Sequence, residues 1–145
     1  SVPEWIKTGA DEIKVAFIRA LIDDEGSVSS KLNRISKGVS REIKFGMSKN
    51  KKFLESHIKF LEDVRIMLLD LGVGSSSVHR LGVTKNGIFM GFSISRFENL
   101  SRFLEVVSLT SREKRRRLIR CLNEFKVFEN DLTELKLENP YIFKV

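Results

Sequence analysis

The segment 17–28, FIRALIDDEGSV, constrains the fold most, because an apolar helical run ends in three consecutive carboxylates and a glycine. One apolar stripe of the helix comprises Ile13, Ala16, Phe17, Ala20 and Leu21, and a second comprises Val15, Ile18 and Ile22. A helix with apolar residues on both sides is predicted to be buried all round. Burying carboxylates is costly unless they are paired or bind a cation. We therefore predict a central helix whose C-terminal tip is hydrated and chemically active.

The tip of this helix is electrostatically unusual, because a helix C-terminus already carries partial negative charge on its unpaired carbonyls. Asp23, Asp24 and Glu25 add to that charge. Gly26 fits the left-handed residue that follows many helices. Hard divalent cations such as Mg²⁺ bind carboxylate, carbonyl and water oxygens. The pattern indicates half of a metal site, and its alternative is a solvated acidic helix end.

Charge is unevenly distributed along the 145 residues, whose formal net charge is +7. Residues 27–52 hold eight basic residues and one acidic residue, and residues 110–126 hold seven and two. Residues 1–26 reverse the balance, with three basic and six acidic residues. Two basic blocks flanking an acidic tip indicate a polyanionic partner with a metal between them. A merely solvated basic surface is the alternative.

Several classes of site and location are excluded by composition. One cysteine, Cys121, and two histidines, His57 and His79, cannot build a disulfide framework or a Cys/His zinc site. No apolar run approaches the ~20 residues that span a bilayer. We therefore expect no membrane partner and a reducing intracellular compartment, cytoplasmic or organellar. No signal peptide is visible, and the start at Ser1 rather than Met indicates a trimmed or excised segment.

Hydrophobic periodicity predicts the element order α-ββ-α-ββ-α-α. The predicted elements are a helix over 11–23, strands within 27–36 and 39–48, a helix over 51–71, strands within 75–83 and 88–95, and two final helices. Asn50 is a candidate cap for the long helix, and Gly72 ends it. Capping boxes that begin at Ser95 and Thr110 open the last two helices. Residues 131–145 carry no clear pattern.

Residues 18–26, IRALIDDEG, resemble the nine-residue LAGLIDADG motif of homing endonucleases and intein endonuclease domains. The fitting positions are Ile18, Ala20, Leu21, Ile22, Asp23 and the acid-glycine pair Glu25-Gly26. The segment 91–107, GFSISRFENLSRFLEVV, is followed by a Lys/Arg-rich helix and also resembles archaeal and intein members. The resemblance therefore covers roughly residues 3–125.

The resemblance implies an α+β fold of the αββαββα type, with a saddle-shaped four-stranded antiparallel sheet packed under helices. It implies one domain over residues 1–145, with a core over 3–125 and a C-terminal extension over 126–145. No second motif is present, because the segment 68–74, LLDLGVG, lacks the acid-glycine ending. Single-motif members act as homodimers, so we expect a homodimer, or else half of a longer two-motif protein. The implied dimer interface comprises Phe17, Ala20, Leu21 and Asp23.

The implied activity is divalent-metal-dependent, site-specific cleavage of double-stranded DNA, with Mg²⁺ or Mn²⁺ as cofactor. Glu25 corresponds to the catalytic metal ligand, and Asp24 supplies the neighbouring backbone carbonyl. Many members place a lysine in the loop before the last basic helix, but residues 108–111 here are Ser-Leu-Thr-Ser. The nearest lysine, Lys114, lies inside the helix. The catalytic role of that lysine therefore falls to Lys44 or Lys85, or is absent.

DNA-facing residues of the sheet should alternate with core-facing ones. The major groove admits a two-stranded ribbon, where Lys and Asn can read purine edges. The candidates are Ser29, Lys31, Asn33, Arg41, Lys44, Ser77, His79, Lys85, Phe89 and Ser93. For each of them an ordinary exposed strand face is the alternative.

Two other functions stay open: a catalytically degenerate DNA-binding protein and an RNA-splicing maturase. The intact Glu25 favours the nuclease. The missing loop lysine favours the DNA-binding protein. RNA is the weakest of the three, because no cluster of stacking aromatics is evident.

Overall fold

The computed structural model describes residues 1–32, 39–85 and 87–138, with side chains for 1–31, 39–85 and 87–125. The described helices are α1 (Glu4–Lys7), α2 (Asp11–Glu25), α3 (Leu54–Asp70), α4 (Phe97–Val106) and α5 (Arg112–Glu138). The described strands are β1 (Gly26–Leu32), β2 (Val39–Lys49), β3 (His79–Thr84) and β4 (Gly87–Ser95). A 3₁₀ turn over Lys51–Phe53 leads into α3. The predicted α+β class and αββαββα order are confirmed.

The four strands form one antiparallel sheet in the order β1-β2-β4-β3. Each hairpin contributes one central strand, β2 or β4, and one edge strand, β1 or β3. The register places Val28 opposite Ile43 and Phe45 opposite Phe92. Because side chains alternate along a strand, this register puts all four apolar residues on one face. Both predicted hairpins are confirmed.

The helices cover that apolar face and leave the other face open. Phe45 and Phe92 are fully buried and pack edge to face, with ring centroids 5.6 Å apart. Helix α2 packs on β1 and β2, α3 on β2 and β4, α4 on β4, and α5 along β1. The fully buried helix residues include Ile18, Ile22, Leu61, Leu68, Leu100, Phe103 and Leu118. The core therefore lies between one sheet face and the helix layer.

Helix α2 is buried on one side only, which differs from the predicted burial all round. Ile18 and Ile22 are its fully buried residues. Ile13 is 40% exposed, and Ala16 and Ala20 are exposed. Periodicity showed two apolar stripes but not which of them the rest of the chain covers. Phe17 and Leu21 of the first stripe are half-buried against the core, so its exposed part, Ile13, Ala16 and Ala20, is what remains available to another surface.

Helix ends follow local sterics more than the predicted caps. Gly26 has an extended backbone with φ −84° and not the predicted left-handed one. Glycine is still required there, because a Cβ would lie 2.6 Å from Ile22 Cγ2. The capping box predicted from Ser95 is wrong, since Arg96 precedes α4 with φ 71° and no side chain caps the helix. Asn50 Oδ1 does accept a hydrogen bond from Lys52 N at 3.1 Å, although it caps the 3₁₀ turn.

The last helix is longer than the sequence pattern indicated. Helix α5 continues to Glu138 and so includes part of the segment that periodicity left unassigned. Among residues 1–32, 39–85 and 87–138, no helix has both the length and the apolar character needed to cross a membrane.

Candidate functional site

The acidic tip of α2 is attached to the start of α5 by Asp23. Its carboxylate accepts hydrogen bonds from Thr110 N at 3.0 Å and from Ser111 N at 3.2 Å. Ser111 Oγ in turn accepts from Lys114 N at 3.3 Å, within the first turn of α5. A carboxylate at a helix N-terminus is favourable because the backbone N–H groups there are unpaired. Asp23 therefore serves as an N-terminal cap for a helix almost ninety residues away.

Lys114 makes the reciprocal contact. Its Nζ donates to Ile22 O at 3.1 Å and to Asp23 O, two carbonyls of the last turn of α2, the first of which also accepts from Gly26 N. The last turn of α2 contains no basic residue of its own, so Lys114 supplies the cation that this end requires. The sequence placed Lys114 inside a helix and away from the active centre. The local signal was a capping box predicted to begin at Thr110, one residue before Ser111, whose hydroxyl accepts from Lys114 N.

Asp24 and Glu25 remain exposed at the tip, immediately before β1. Among the described residues, no group of three or more His, Cys, Asp or Glu side chains lies close enough to hold a metal ion. One chain thus presents two carboxylates and no closed coordination sphere in its described part. Carboxylate oxygens match the ligand preference of Mg²⁺, but the remaining ligands would have to come from another molecule.

Of the two candidate catalytic lysines, the sheet register brings Lys44 nearer to the tip. Lys44 lies opposite Ser27, two residues after Glu25, and its Nζ is 3.3 Å from Glu42 Oε1. Lys85 follows β3, beyond the pair Lys49–Ile88. Four residues of strand, about 13 Å, separate that pair from the row of Gly26 and Phe45. The structure does not bring Lys85 together with the acidic tip.

The open face of the sheet carries most of the predicted DNA-reading residues. The register places Ser29 and Lys31 of β1, Lys44 of β2, Phe89 and Ser93 of β4 and His79 of β3 on this face. Among the described open-face positions of β1 and β2, the acidic residue is Glu42, and it pairs with Lys44. Two strands of polar and basic side chains next to an acidic helix tip form a surface suited to a polyanion.

The model of the LAGLIDADG-like domain family matches residues 12–108, two thirds of the chain. The chain belongs to the LAGLIDADG family. The resemblance carried by residues 18–26 is thereby confirmed. Members of this family are homing endonucleases or related DNA-binding and maturase proteins. No curated protein matches the chain.

Arg41 of this LAGLIDADG domain lies on the helix-covered side and not on the open face. Its Nε donates to Glu124 Oε2 at 2.8 Å, and its guanidinium lies 4.9 Å from the centre of the Phe125 ring. The arginine and Ser30, which donates to the same carboxylate oxygen, hold the pKa of Glu124 below its usual value. Arg41 therefore joins β2 to α5. Asn33, predicted to read DNA, lies outside the described residues.

Ser77 precedes β3 and is exposed. Its backbone O is 2.9 Å from His79 Nδ1, so the two residues predicted to read DNA contact each other. Ser76 continues the connection to β4, because its N donates to Ser93 O at 2.8 Å. This segment, predicted as part of strand β3, is a hydrogen-bonded lead-in to it.

Leu81 is an open-face residue that the sequence did not reveal. A β-bulge between Arg80 and Gly82 shifts the register of β3 at this point. The Leu81 side chain lies over the glycine pair Gly46 and Gly91, where a Cβ on either glycine would come within 3.0 Å of Leu81 Cδ1. The LAGLIDADG sheet therefore carries an apolar contact in the middle of a polar face.

Proposed function

We propose that this LAGLIDADG protein is a homodimeric, site-specific double-strand DNA endonuclease that depends on Mg²⁺ or Mn²⁺. The observation that carries the proposal is the open stripe of α2, which leads directly into exposed Asp24 and Glu25. Ala16 and Ala20 lie on that stripe, and small residues allow two helix backbones to approach closely. A twofold pairing of α2 would bring two acidic tips together, because a symmetric interface uses the same surface of both copies.

The donor set fits a hard divalent cation. Glu25 would hold the ion through its carboxylate and Asp24 through its backbone carbonyl, with the second copy and DNA phosphates completing the coordination. The chemistry such an ion supplies is stabilisation of charge at phosphorus and a lowered pKa of the attacking water. Lys114 offsets the negative potential of the helix end, which keeps the tip ordered while Glu25 stays exposed. Lys44, which lies opposite Ser27, would contact a phosphate beside the tip.

The open face would read the target through the major groove. Lys31, Lys44 and His79 supply hydrogen-bond donors, and Ser29 and Ser93 supply hydroxyls that can either donate or accept. Phosphate contacts by the basic residues should make log affinity fall with log salt, at a slope of about −0.9 per phosphate neutralised. The same proposal treats residues 1–145 as one domain, with 126–145 as an extension of its core.

The metal assignment is tested with Glu25→Gln and Asp24→Asn, after a Mg²⁺-dependent cleavage selection on a random DNA library has identified a site. We expect Glu25→Gln to abolish cleavage while changing duplex affinity in Ca²⁺ by less than about tenfold. Asp24→Asn should lose less activity, since that residue contributes a carbonyl. Full activity of Glu25→Gln would overturn the assignment.

The dimer is tested with Ala20→Trp, which fills the proposed contact, and with Ala10→Trp as a matched control just before α2. Analytical ultracentrifugation should show a wild-type dimer that Ala20→Trp converts to a folded monomer and Ala10→Trp leaves intact. A wild-type protein that stays monomeric with and without DNA would show that α2 does not form a dimer interface.

A non-cleaving DNA-binding protein is the second candidate function. Two observations favour it: residues 108–111 contain no lysine, and Lys114 Nζ is already bound to the α2 carbonyls. If wild type and Glu25→Gln both bind one sequence tightly and neither cleaves it, the protein is a DNA-binding protein and not an endonuclease.

A further inference from the structure

A groove of about 390 Å³ lies between the edge strand β1 and helix α5. Lys31 lines it from the strand, and Arg117 and Arg120 line it from the helix. All three residues are exposed. The groove is separate from the α2 tip and adjoins the open face, because Lys31 belongs to both. We call it the β1–α5 groove.

The backbone of β1 offers donors to the same groove. Ser93 N and Ser93 O bond to Ser76 on the β3 side, so its partner Lys44 directs its own N–H and C=O groups towards β1. Along an antiparallel edge, residues whose polar groups face the partner strand alternate with residues whose N–H and C=O both face outward. Ser27, Ser29 and Lys31 therefore pair with β2, and the N–H groups of Val28 and Ser30 point out of the sheet at the groove. Free edge donors beside arginine guanidinium groups are suited to anionic oxygens.

The negative groups near the groove are already neutralised. Glu124 is bound by Arg41 and Ser30, as described above. Burial raises the pKa of the Cys121 thiol, so the sulfur carries no charge at neutral pH. Glu113 pairs with Arg117, but both side chains are largely exposed and such pairs are weak. Arg120 and Lys31 add further positive charge, which leaves the groove cationic.

We propose that the β1–α5 groove binds a phosphate of the nucleic-acid backbone at the flank of the reading face. Arginine presents planar N–H pairs that match phosphate oxygens, and two arginines with two edge amides form a convergent donor set. The assignment of this phosphate to the backbone of a DNA duplex rests on the proposed function. Lys31 would then join a base-reading surface to a backbone clamp.

The binding test compares Arg117→Gln/Arg120→Gln with Arg115→Gln/Arg116→Gln, two exposed arginines of the same helix that do not line the groove. Affinity for a random-sequence duplex is measured by fluorescence anisotropy between about 50 and 200 mM salt. We expect the groove pair to lose at least about tenfold in affinity and to flatten the salt slope by about one to two units. The control pair should lose clearly less. Equal losses in both pairs would overturn the groove and indicate a diffuse charge effect.

A second readout separates this proposal from the proposed function. Pyrophosphate is titrated into ¹⁵N-labelled protein, and the Val28 and Ser30 amide signals are followed. We expect both signals to shift in wild type and in the control pair and not in the groove pair. If no duplex binds but these amides respond, the proposed function fails and the groove stands as a phosphate site. If the duplex binds, but the groove pair loses no more affinity than the control pair and the amides do not respond to pyrophosphate, the groove proposal is wrong and the proposed function stands.

Folding of the groove pair is checked first by thermal melting. If Arg117→Gln/Arg120→Gln does not fold, Lys31→Gln replaces it, because that exposed side chain lines the groove from the strand. Lys31→Gln should flatten the salt slope by about one unit. An unchanged slope and unchanged pyrophosphate response in Lys31→Gln would contradict the proposal.

Discussion

The two faces of the sheet in this LAGLIDADG domain differ in burial and in the residues that they carry. On the covered face, Ile43, Phe45, Phe92 and Ile94 are all fully buried under the helices. On the open face, Lys44 and Ser93 lie between them, and Gly46 and Gly91 flank them. Neighbouring residues on one strand therefore belong to different environments. Burial of apolar area on one face stabilises the sheet, so the other face is free to carry groups chosen for a ligand.

Lys44 and Phe45 test that division most directly. Phe45→Ala should lower the free energy of unfolding by about 3–5 kcal/mol, because it leaves a cavity against Phe92. Lys44→Ala, one residue earlier and on the open face, should change it by no more than about 0.5 kcal/mol. Urea denaturation measures both, and duplex affinity should fall in Lys44→Ala. A comparable loss of stability in both variants would break the comparison between the faces.

The open face also contains positions where only glycine fits. A Cβ at Gly91 would lie 2.2 Å from Phe45 O, whereas a Cβ at Gly82 would meet no atom within 4 Å. We expect Gly91→Ala to cost about 1–3 kcal/mol of stability through forced backbone shifts. Gly82→Ala should be close to neutral in the same denaturation experiment. Tolerance of Gly91→Ala would mean that β2 and β4 can separate at this point without a loss of stability.

The reciprocal contacts of Asp23 and Lys114 lie where the covered helices meet the acidic tip. Asp23→Asn should cost about 1–2 kcal/mol, because it weakens charge-assisted bonds to Thr110 N and Ser111 N. Lys114→Met should cost about 1 kcal/mol through loss of the cation at the α2 C-terminus. A double-mutant cycle by denaturation should show that the two costs do not add. Strict additivity would show that the contacts act independently.

The smallest effect is expected from pH at the edge of the covered face. His57 is buried, its Nε2 lies 2.9 Å from Met47 O, and burial holds its pKa below the usual 6.5. Below pH 6.5 the unfolded chain therefore takes up a proton that the folded chain resists, so stability falls as the medium is acidified. The melting temperature should drop on acidification in wild type and less in His57→Gln. The exposed His79→Gln control should follow wild type. Identical profiles of melting temperature against pH in all three proteins would show that His57 does not cause the pH dependence.

Local patterns predicted the fold well because each concerns neighbours on one element. Strand alternation identified β4 and its buried face, since Phe92 and Ile94 recur at period two. The start of β3 was predicted too early, because residues 75–77 look strand-like but bond to β4 through Ser76 before the ladder begins. The Ser95 cap was wrong because Arg96 adopts a positive φ that local capping rules do not anticipate.

By itself, the sequence determined the order of elements, the apolar face of each strand and the acidic tip that identifies the family. Only the tertiary structure decided that Lys114 covers the α2 carbonyls, that Asp23 caps α5 and that Arg41 turns away from the open face. The physical reason is that periodicity reports which residues share a face of one element. Contacts between residues some eighty to ninety positions apart depend on how whole elements pack, and that packing brings the two helix ends together.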